Sequence, residues 1–326
     1  MRRSLLALLV GLISCIPAVV AQERRDPTIP LPSWAYPMNP SPGGGGSGTQ
    51  PDTIRHTLPD TDLAFTTSEI RNGFGPADWR PETHPSMPTI VAQGREPDVR
   101  ACAMCHYPNG QGRPENGPVA GLPAAYIVQQ LVDFQNGTRV SSESRMGPPA
   151  AMARLAKTMT AEEMAISADY FASFPYRPWV RVVESPTAPR LRFAGGMFMP
   201  VDGTEPIGNR IVEVPEDTTR TLLRDPISGF VAYVPPGSLA RGEALARTGG
   251  AGRTTACGAC HAEDLSGLGP VPAIAGRSAS YLMRQLIDFK TGARAGAWSE
   301  LMKGVVADLS DEDMLALAAY AASLSP

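Results

Sequence analysis

The residues with the clearest capacity for chemistry lie in two five-residue stretches, Cys102–His106 and Cys257–His261. Both have the pattern Cys-x-x-Cys-His, which puts two thiols about one helical turn apart with an imidazole directly after the second. Thiols at this spacing can form thioethers with the vinyl groups on one edge of a porphyrin, and the histidine is then tied close beneath the iron. The sequence therefore predicts two covalently bound haems c. The predicted thioether cysteines are Cys102, Cys105, Cys257 and Cys260, and the predicted proximal iron ligands are His106 and His261.

Paired cysteines also occur in zinc sites, in thioredoxin-like redox motifs and in disulfides. A structural zinc site would have to combine both pairs, but Cys257 follows Cys102 by 155 residues, far beyond zinc-ribbon spacing. A thioredoxin-like redox motif would need a βαβ setting, which neither stretch has. A disulfide within each pair, in an oxidising compartment, is the remaining alternative.

The composition suits an exported protein built around a cofactor. The 326 residues are enough for two domains, and 33 Pro, 32 Gly and only 6% aromatic residues indicate a loop-rich chain with small apolar cores. Such a core is easier to complete around a large flat cofactor than alone. A net charge of −3 and the lack of any basic block argue against nucleic-acid binding.

The first 21 residues have the features of a signal peptide. Arg2 and Arg3 begin it, an apolar stretch runs over 5–13, and small residues at 19–21 form a cleavage site. The apolar stretch is too short for a membrane-spanning helix. Cys15 ends a sequence that resembles a lipoprotein box, so a lipid anchor there is the alternative to ordinary cleavage. In either case the sequence predicts export to the periplasm.

An internal repeat organises the rest of the chain. Residues 126–134 match 281–289 at the offset of 155, with Tyr, Gln and Phe recurring at spacings typical of one helix face. Arg139 and Arg294 follow these helices at equal distances. Each copy ends in a second predicted helix, which begins with a capping box at 160–163 or 310–313.

Each copy also supplies one methionine as a candidate for the sixth iron ligand. Methionine opposite histidine raises the reduction potential of an electron-transfer haem. Met152 lies eight residues before Thr160, and Met302 lies eight before Ser310. This match makes Met152 and Met302 the predicted ligands, with Met146 as the local alternative to Met152.

The predicted fold is mainly α, with two small cytochrome-like domains joined by an extended connector that contains short β-strands. The strand-like runs are 179–183, 210–214 and 230–234, all bounded by Pro or Gly. The expected boundaries are a signal peptide over 1–21, a flexible Pro/Gly-rich tether over 22–60, a first domain with an irregular N-terminal extension over 61–178, the connector over 179–234, and a second domain over 235–326.

The order of these motifs resembles the tandem diheme class I cytochromes c of bacterial periplasms. The similarity covers about 100–175 and 240–324, and it is strongest in the second copy. The resemblance implies helical domains around one haem each, with ligand pairs His106/Met152 and His261/Met302. The chain departs from the family in its long N-terminal segment, its long connector and the lack of a first helix in the first domain.

The predicted function is transfer of single electrons between periplasmic redox partners, without substrate chemistry of its own. The expected partners are a donor and an acceptor protein, such as a dehydrogenase or a membrane oxidase, and the chain would be a free carrier or a subunit of such a complex. Arg139 and Arg294 are candidates to pair with haem propionates. The alternative is a diheme peroxidase or sulfur-compound oxidoreductase with one open haem, near which His56 or His84 would act; the matched methionines argue against it.

Overall fold

The computed structural model describes residues 26, 28–38 and 52–326. The predicted signal peptide, Cys15 and the glycine run over 43–46 lie outside these residues. Within the described part of the chain, no helix is long and apolar enough to cross a membrane. The helices are α1 (Thr67–Ile70), α2 (Thr89–Ala92), α3 (Cys102–His106), α4 (Ala124–Gln135), α5 (Gly147–Thr158), α6 (Ala161–Ala172), α7 (Thr218–Leu222), α8 (Ser238–Thr248), α9 (Gly258–His261), α10 (Ala279–Lys290), α11 (Ser299–Val306) and α12 (Asp311–Ser323). The strands are β1 (Arg55–Thr57), β2 (Ala64–Thr66), β3 (Gly94–Arg95), β4 (Val99–Arg100), β5 (Val180–Glu184), β6 (Thr187–Ala194), β7 (Met197–Pro206), β8 (Val212–Pro215) and β9 (Phe230–Val234).

The two copies of the repeat fold into matching helical units. In each, a short helix carries the Cys-x-x-Cys-His motif (α3, α9), and three longer helices follow (α4–α6, α10–α12). The predicted capping boxes are confirmed: Thr160 and Ser310 each accept a hydrogen bond from the backbone N–H three residues on, and the acid there bonds back. These caps satisfy N–H groups that helix geometry leaves unpaired, which fixes where α6 and α12 begin.

The units differ at their starts. The second opens with the eleven-residue α8, which packs against α12 so closely that a Cβ at Gly242 would overlap the carbonyl of Ala316. The first has only the four-residue α2 before its motif. In the N-terminal extension, Trp79 is buried, and its indole N–H donates to the Leu223 carbonyl of the connector at 2.7 Å.

The connector forms two small sheets. Strand β9 lies between β5, to which it is parallel, and β8, to which it is antiparallel, and β6 and β7 form a separate antiparallel hairpin. A buried ion pair of 3.0 Å joins Arg80 of the N-terminal extension to Asp225, which follows α7. On the other side, Glu213 of β8 accepts hydrogen bonds from Ser278 and Ser280 at the start of α10. The connector thus touches both the N-terminal extension and the second unit.

Part of the predicted tether is docked, contrary to the expectation from its composition. Ser33–Ala35 form a 3-10 turn, and Ala35 and Tyr36 are buried in the apolar cluster of the second unit. The Arg284 guanidinium donates a hydrogen bond to the Ala35 carbonyl at 2.9 Å. Apolar side chains at 31, 34, 36 and 38 supply the buried surface. Proline-rich composition predicts a lack of regular structure, but it does not rule out burial of such side chains.

Candidate haem sites

The first motif opens onto an apolar cavity of about 380 Å³. Cys102, Cys105 and His106 line it together with side chains of α4 and α5. No disulfide joins the cysteines of either motif in the described part of the chain. No group of three or more metal-ligating side chains gathers in the part of the chain that the structure describes, so its geometry does not favour a zinc site. Burial raises the pKa of the Cys102 and Cys257 thiols to about 11.

The histidines of both motifs are held in the same tautomer. Nδ1 of His106 lies 3.0 Å from the carbonyl oxygen of Gly117, and Nδ1 of His261 lies 2.9 Å from that of Pro272, eleven residues on in each case. A carbonyl can only accept, so Nδ1 carries the proton and Nε2 is left with a free lone pair. Burial lowers the pKa of both imidazoles, which favours this neutral form. Such an arrangement is what a metal-ligating histidine needs.

The residue after each motif has an unusual backbone conformation. Tyr107 has φ 62° and ψ 158°, and Ala262 has φ 67° and ψ 159°. This region is strained for any residue with a side chain and is adopted almost only by glycine. Both copies share this conformation directly after the histidine. The chain therefore leaves each motif helix in the same way, before the residue whose carbonyl accepts from the histidine, Gly117 or Pro272.

The two methionines that the repeat pairs lie on helices of the two units. Met152 is on α5, lines the first cavity and packs in the same apolar cluster as Cys102. Met302 is on α11 and packs in the same cluster as Cys257. Met146 also lines the first cavity, but it is 2% exposed and belongs to the cluster of the second unit. An apolar cavity lined by two cysteines, a histidine and a methionine is one that a porphyrin would fit.

The predicted propionate partners Arg139 and Arg294 lie together at the interface of the two units. They belong to a set of six side chains that match in pairs across the repeat. Each arginine donates to the glutamine of its own copy (2.9 and 3.1 Å), to the glutamine of the other copy (3.1 and 2.6 Å) and to the tyrosine of the other copy (3.2 and 3.3 Å). The set is Tyr126 and Tyr281, Gln130 and Gln285, and Arg139 and Arg294. Neither arginine is a free surface residue, because both are held in this set of hydrogen bonds.

The loops that follow the two motifs differ in exposure. In the first copy, 107–115 is almost entirely buried, because the connector and the segment just before it cover the loop: Asn109 donates to the Pro226 carbonyl of the connector at 3.0 Å, and Gln111 donates to the Arg177 carbonyl at 2.8 Å. In the second copy, most of the matching 262–270 is exposed, and Leu268 is 65% exposed. Cys260 is exposed as well. The second site therefore lies nearer to solvent at its motif.

The two remaining histidines have structural partners. His56 Nε2 lies 3.0 Å from the Thr67 hydroxyl. His84 Nε2 lies 3.0 Å from Asp78 Oδ2, and its Nδ1 donates to the Pro85 carbonyl at 2.8 Å. Neither lines the first cavity.

Two buried charged residues in the wall of the first cavity were not predicted from the sequence. One comes from the loop after the first motif, and the other comes from the second unit. Arg284 of α10 and Glu115 both line this cavity, and both are buried. Nothing in the repeat points to them, because Arg284 matches Gln129 and Glu115 matches Pro270. Only the packing of one unit against the other reveals this part of the wall.

The chain is similar in sequence to several known cytochromes, among them the following three. The chain is 26% identical over 242 residues to cytochrome c4 of Azotobacter vinelandii, which covers 73% of this chain and 89% of that protein. It is 27% identical over 237 residues to the thiosulfate dehydrogenase electron acceptor of Thiomonas intermedia, covering 71% and 82%. It is 30% identical over 111 residues to the cytochrome subunit of sulfide dehydrogenase of Chlorobaculum tepidum, covering 34% and 94%.

No protein-family profile matches the chain. Three other observations nevertheless point to a c-type cytochrome. They are the relatives, the two Cys-x-x-Cys-His motifs and the histidine geometry that the two motifs share. The resemblance seen in the sequence is confirmed, and so are the predicted cofactors, two covalently bound haems c. The chain belongs to the diheme class I cytochromes c, and its function is electron transfer.

Proposed function

We propose that this diheme cytochrome accepts single electrons from a dehydrogenase in the periplasm and passes them to a second redox protein. The observation that carries the proposal is the repeated site, in which each motif histidine keeps Nε2 free by donating from Nδ1 to a backbone carbonyl. Two relatives point to the donor class, since their names describe a thiosulfate dehydrogenase electron acceptor and a sulfide dehydrogenase subunit. The periplasmic location rests on the leader predicted over 1–21.

The proposed ligand set is His106 with Met152 and His261 with Met302. Bound haem supplies a one-electron Fe(III)/Fe(II) couple whose ligands need not change during turnover. The chain holds each imidazole in one tautomer and orientation, and packs each methionine in the cluster that contains the motif cysteine. A closed, apolar site with a methionine ligand favours a raised reduction potential and leaves no open position for substrate chemistry.

The proposed architecture is two class I cytochrome c domains that the connector and the interface hold in a fixed relation. The paired arginines at the interface and the sheet that caps α10 support this arrangement. A fixed relation matters for a carrier, since electron exchange between two sites depends on their separation. The connector also covers the first motif loop, which leaves the second unit as the more open side of the molecule.

Low-temperature EPR of the oxidised, mature protein tests the closed-site proposal, with haem content measured on the same sample. We expect two low-spin ferric signals at two haems per chain, because strong ligands on both faces pair the iron electrons. A large high-spin signal in a fully loaded sample would contradict the ligand set.

The donor class is tested separately, by adding thiosulfate or sulfide with the matching purified dehydrogenase and following haem reduction against a sample without the dehydrogenase.

A further inference from the structure

A carboxyl side chain is buried in the wall of the first cavity, and one of its two oxygens accepts no hydrogen bond from the described residues. Glu115 is 8% exposed and lines the cavity together with His106 and Met152. Its Oε2 has no hydrogen-bond partner among the described residues. Burial of a carboxylate oxygen without a hydrogen bond is costly, so the site shifts the balance of Glu115 toward the neutral acid.

The charges around Glu115 come from three elements. Arg113 lies in the same loop, Arg284 on α10 and Glu213 on β8. No ion pair among the described residues joins Glu115 to either arginine. Arg113 instead donates to the Gly195 carbonyl at 3.1 Å, and Arg284 donates to the carbonyls of Ala35 and Pro114. Burial is the dominant influence and raises the pKa of Glu115, while the two arginines oppose it. Other ionisable groups on the cavity wall are Arg100, Arg139, Arg224, Tyr126, Tyr281, Asp288 and His106.

We propose that Glu115 is a proton-binding site coupled to the electron at the first haem. At a pH where Glu115 is still ionised in the oxidised protein, the first site takes up one electron from the redox partner, and the Glu115 carboxylate takes up one proton from water and becomes a neutral acid. When the electron leaves, the O–H bond breaks and the proton returns to water. The physical reason is that an added electron makes the site more negative by one charge, and a low-dielectric wall transmits that change strongly to a buried carboxyl. The proposal rests on the electron-transfer function above and extends it to protons.

The test is the reduction potential of each haem as a function of pH, measured by spectroelectrochemical titration of the haem-loaded chain. In the wild-type protein we expect the potential of one haem to fall as pH rises, with a limiting slope of about 59 mV per pH unit for one proton per electron. In Glu115→Gln, which keeps the shape and the neutral form, this slope should disappear. Met302→Ala, which should lower the potential of the second haem, assigns the two couples.

A matched control exists in the other buried glutamate. Glu213 accepts hydrogen bonds from Ser278 and Ser280, does not line the cavity and faces the same Arg284. Glu213→Gln should therefore keep the pH dependence of the first haem. An unchanged slope in Glu115→Gln would overturn the proposal, and so would loss of the slope in Glu213→Gln alone.

Infrared difference spectra of the wild-type protein give a second readout that needs no variant. Reduction should produce a carboxylic acid C=O band that shifts in D₂O, and this band should be missing in Glu115→Gln. If reduction produces no such band in the wild-type protein, Glu115 does not take up the proton. Failure of the carrier function itself would look different, since the loaded protein would then lack two reversible one-electron couples.

Discussion

Arg139 and Arg294, which hold the same position in the two copies of the repeat, are backbone partners in an antiparallel bridge between the two helical units. The N–H of Val140 donates to the Ala293 carbonyl at 2.9 Å, and that of Ala295 donates to the Thr138 carbonyl at 2.7 Å. Each guanidinium also lies over the phenylalanine of its own copy, at 4.6 Å from the Phe134 ring and 4.2 Å from the Phe289 ring. The contacts across the interface are therefore reciprocal, since the same positions of the two copies of the repeat face each other.

This interface gives the first prediction. Arg294→Ala removes the donor to Tyr126 and one of the two arginine donors to Gln130 at a buried interface, so we expect a loss of about 1–3 kcal/mol in the free energy of unfolding. Arg139→Ala should cost a similar amount, and the two losses should not add, with an interaction energy of about 0.5–3 kcal/mol in the double variant. Urea unfolding of the haem-loaded protein measures all three. Arg145→Ala is the control, because Arg145 is exposed and, among the described residues, its ion pair is with Glu143, two positions before it. Strict additivity would mean that the arginines do not act as a unit.

The second prediction separates the two candidate ligands of the first haem. Met152→Ala should lower the potential of one haem by on the order of 100 mV or more, a fraction of the roughly 0.8 V range that axial ligands set. Met146→Ala should leave the low-spin signals in place and reduce stability by about 2–5 kcal/mol, as expected for a truncated core methionine. The measurements are redox titration, EPR and urea unfolding on the same preparations. The reverse pattern would transfer the ligand role to Met146.

Hydrogen exchange should reveal the difference between the two motif loops. The loop over 107–115 is covered by the connector, whereas most of 262–270 faces solvent. Peptides from 262–270 should therefore exchange on the order of tenfold faster in the haem-loaded protein, since exchange from exposed, weakly bonded segments needs only small openings. Equal exchange would mean that the connector does not protect the first motif in solution.

Ala262, the residue directly after the second motif, gives a prediction about backbone strain. The same change from alanine to glycine at a helical position, Ala259, is its control. Ala262 has φ 67°, so Ala262→Gly should relieve strain and raise the free energy of unfolding by about 1 kcal/mol. Ala259→Gly makes the same chemical change within α9, where it should lower the free energy of unfolding by about 0.5–1 kcal/mol. Thermal unfolding of both haem-loaded variants would show opposite shifts. A loss of stability in Ala262→Gly would argue that the strain is not costly here.

The sequence by itself determined the chemistry of the protein and the plan of its two units. Cys102–His106 and Cys257–His261 specify haem attachment through local spacing, and the capping boxes at Thr160 and Ser310 fix helix starts through contacts three residues apart. Such features involve only neighbours along the chain, so pattern and propensity are enough to find them.

Tertiary structure decided everything that depends on residues far apart in sequence. The carbonyls that orient the two motif histidines, the pairing of Arg139 with Arg294 and the docking of Ala35 and Tyr36 follow no local pattern. Glu115 is an ordinary surface-type residue in the sequence, and only the packing of the second unit and the connector around it removes it from water. Burial is a property of the assembled chain, and it is burial that turns this carboxyl into a group able to respond to an electron.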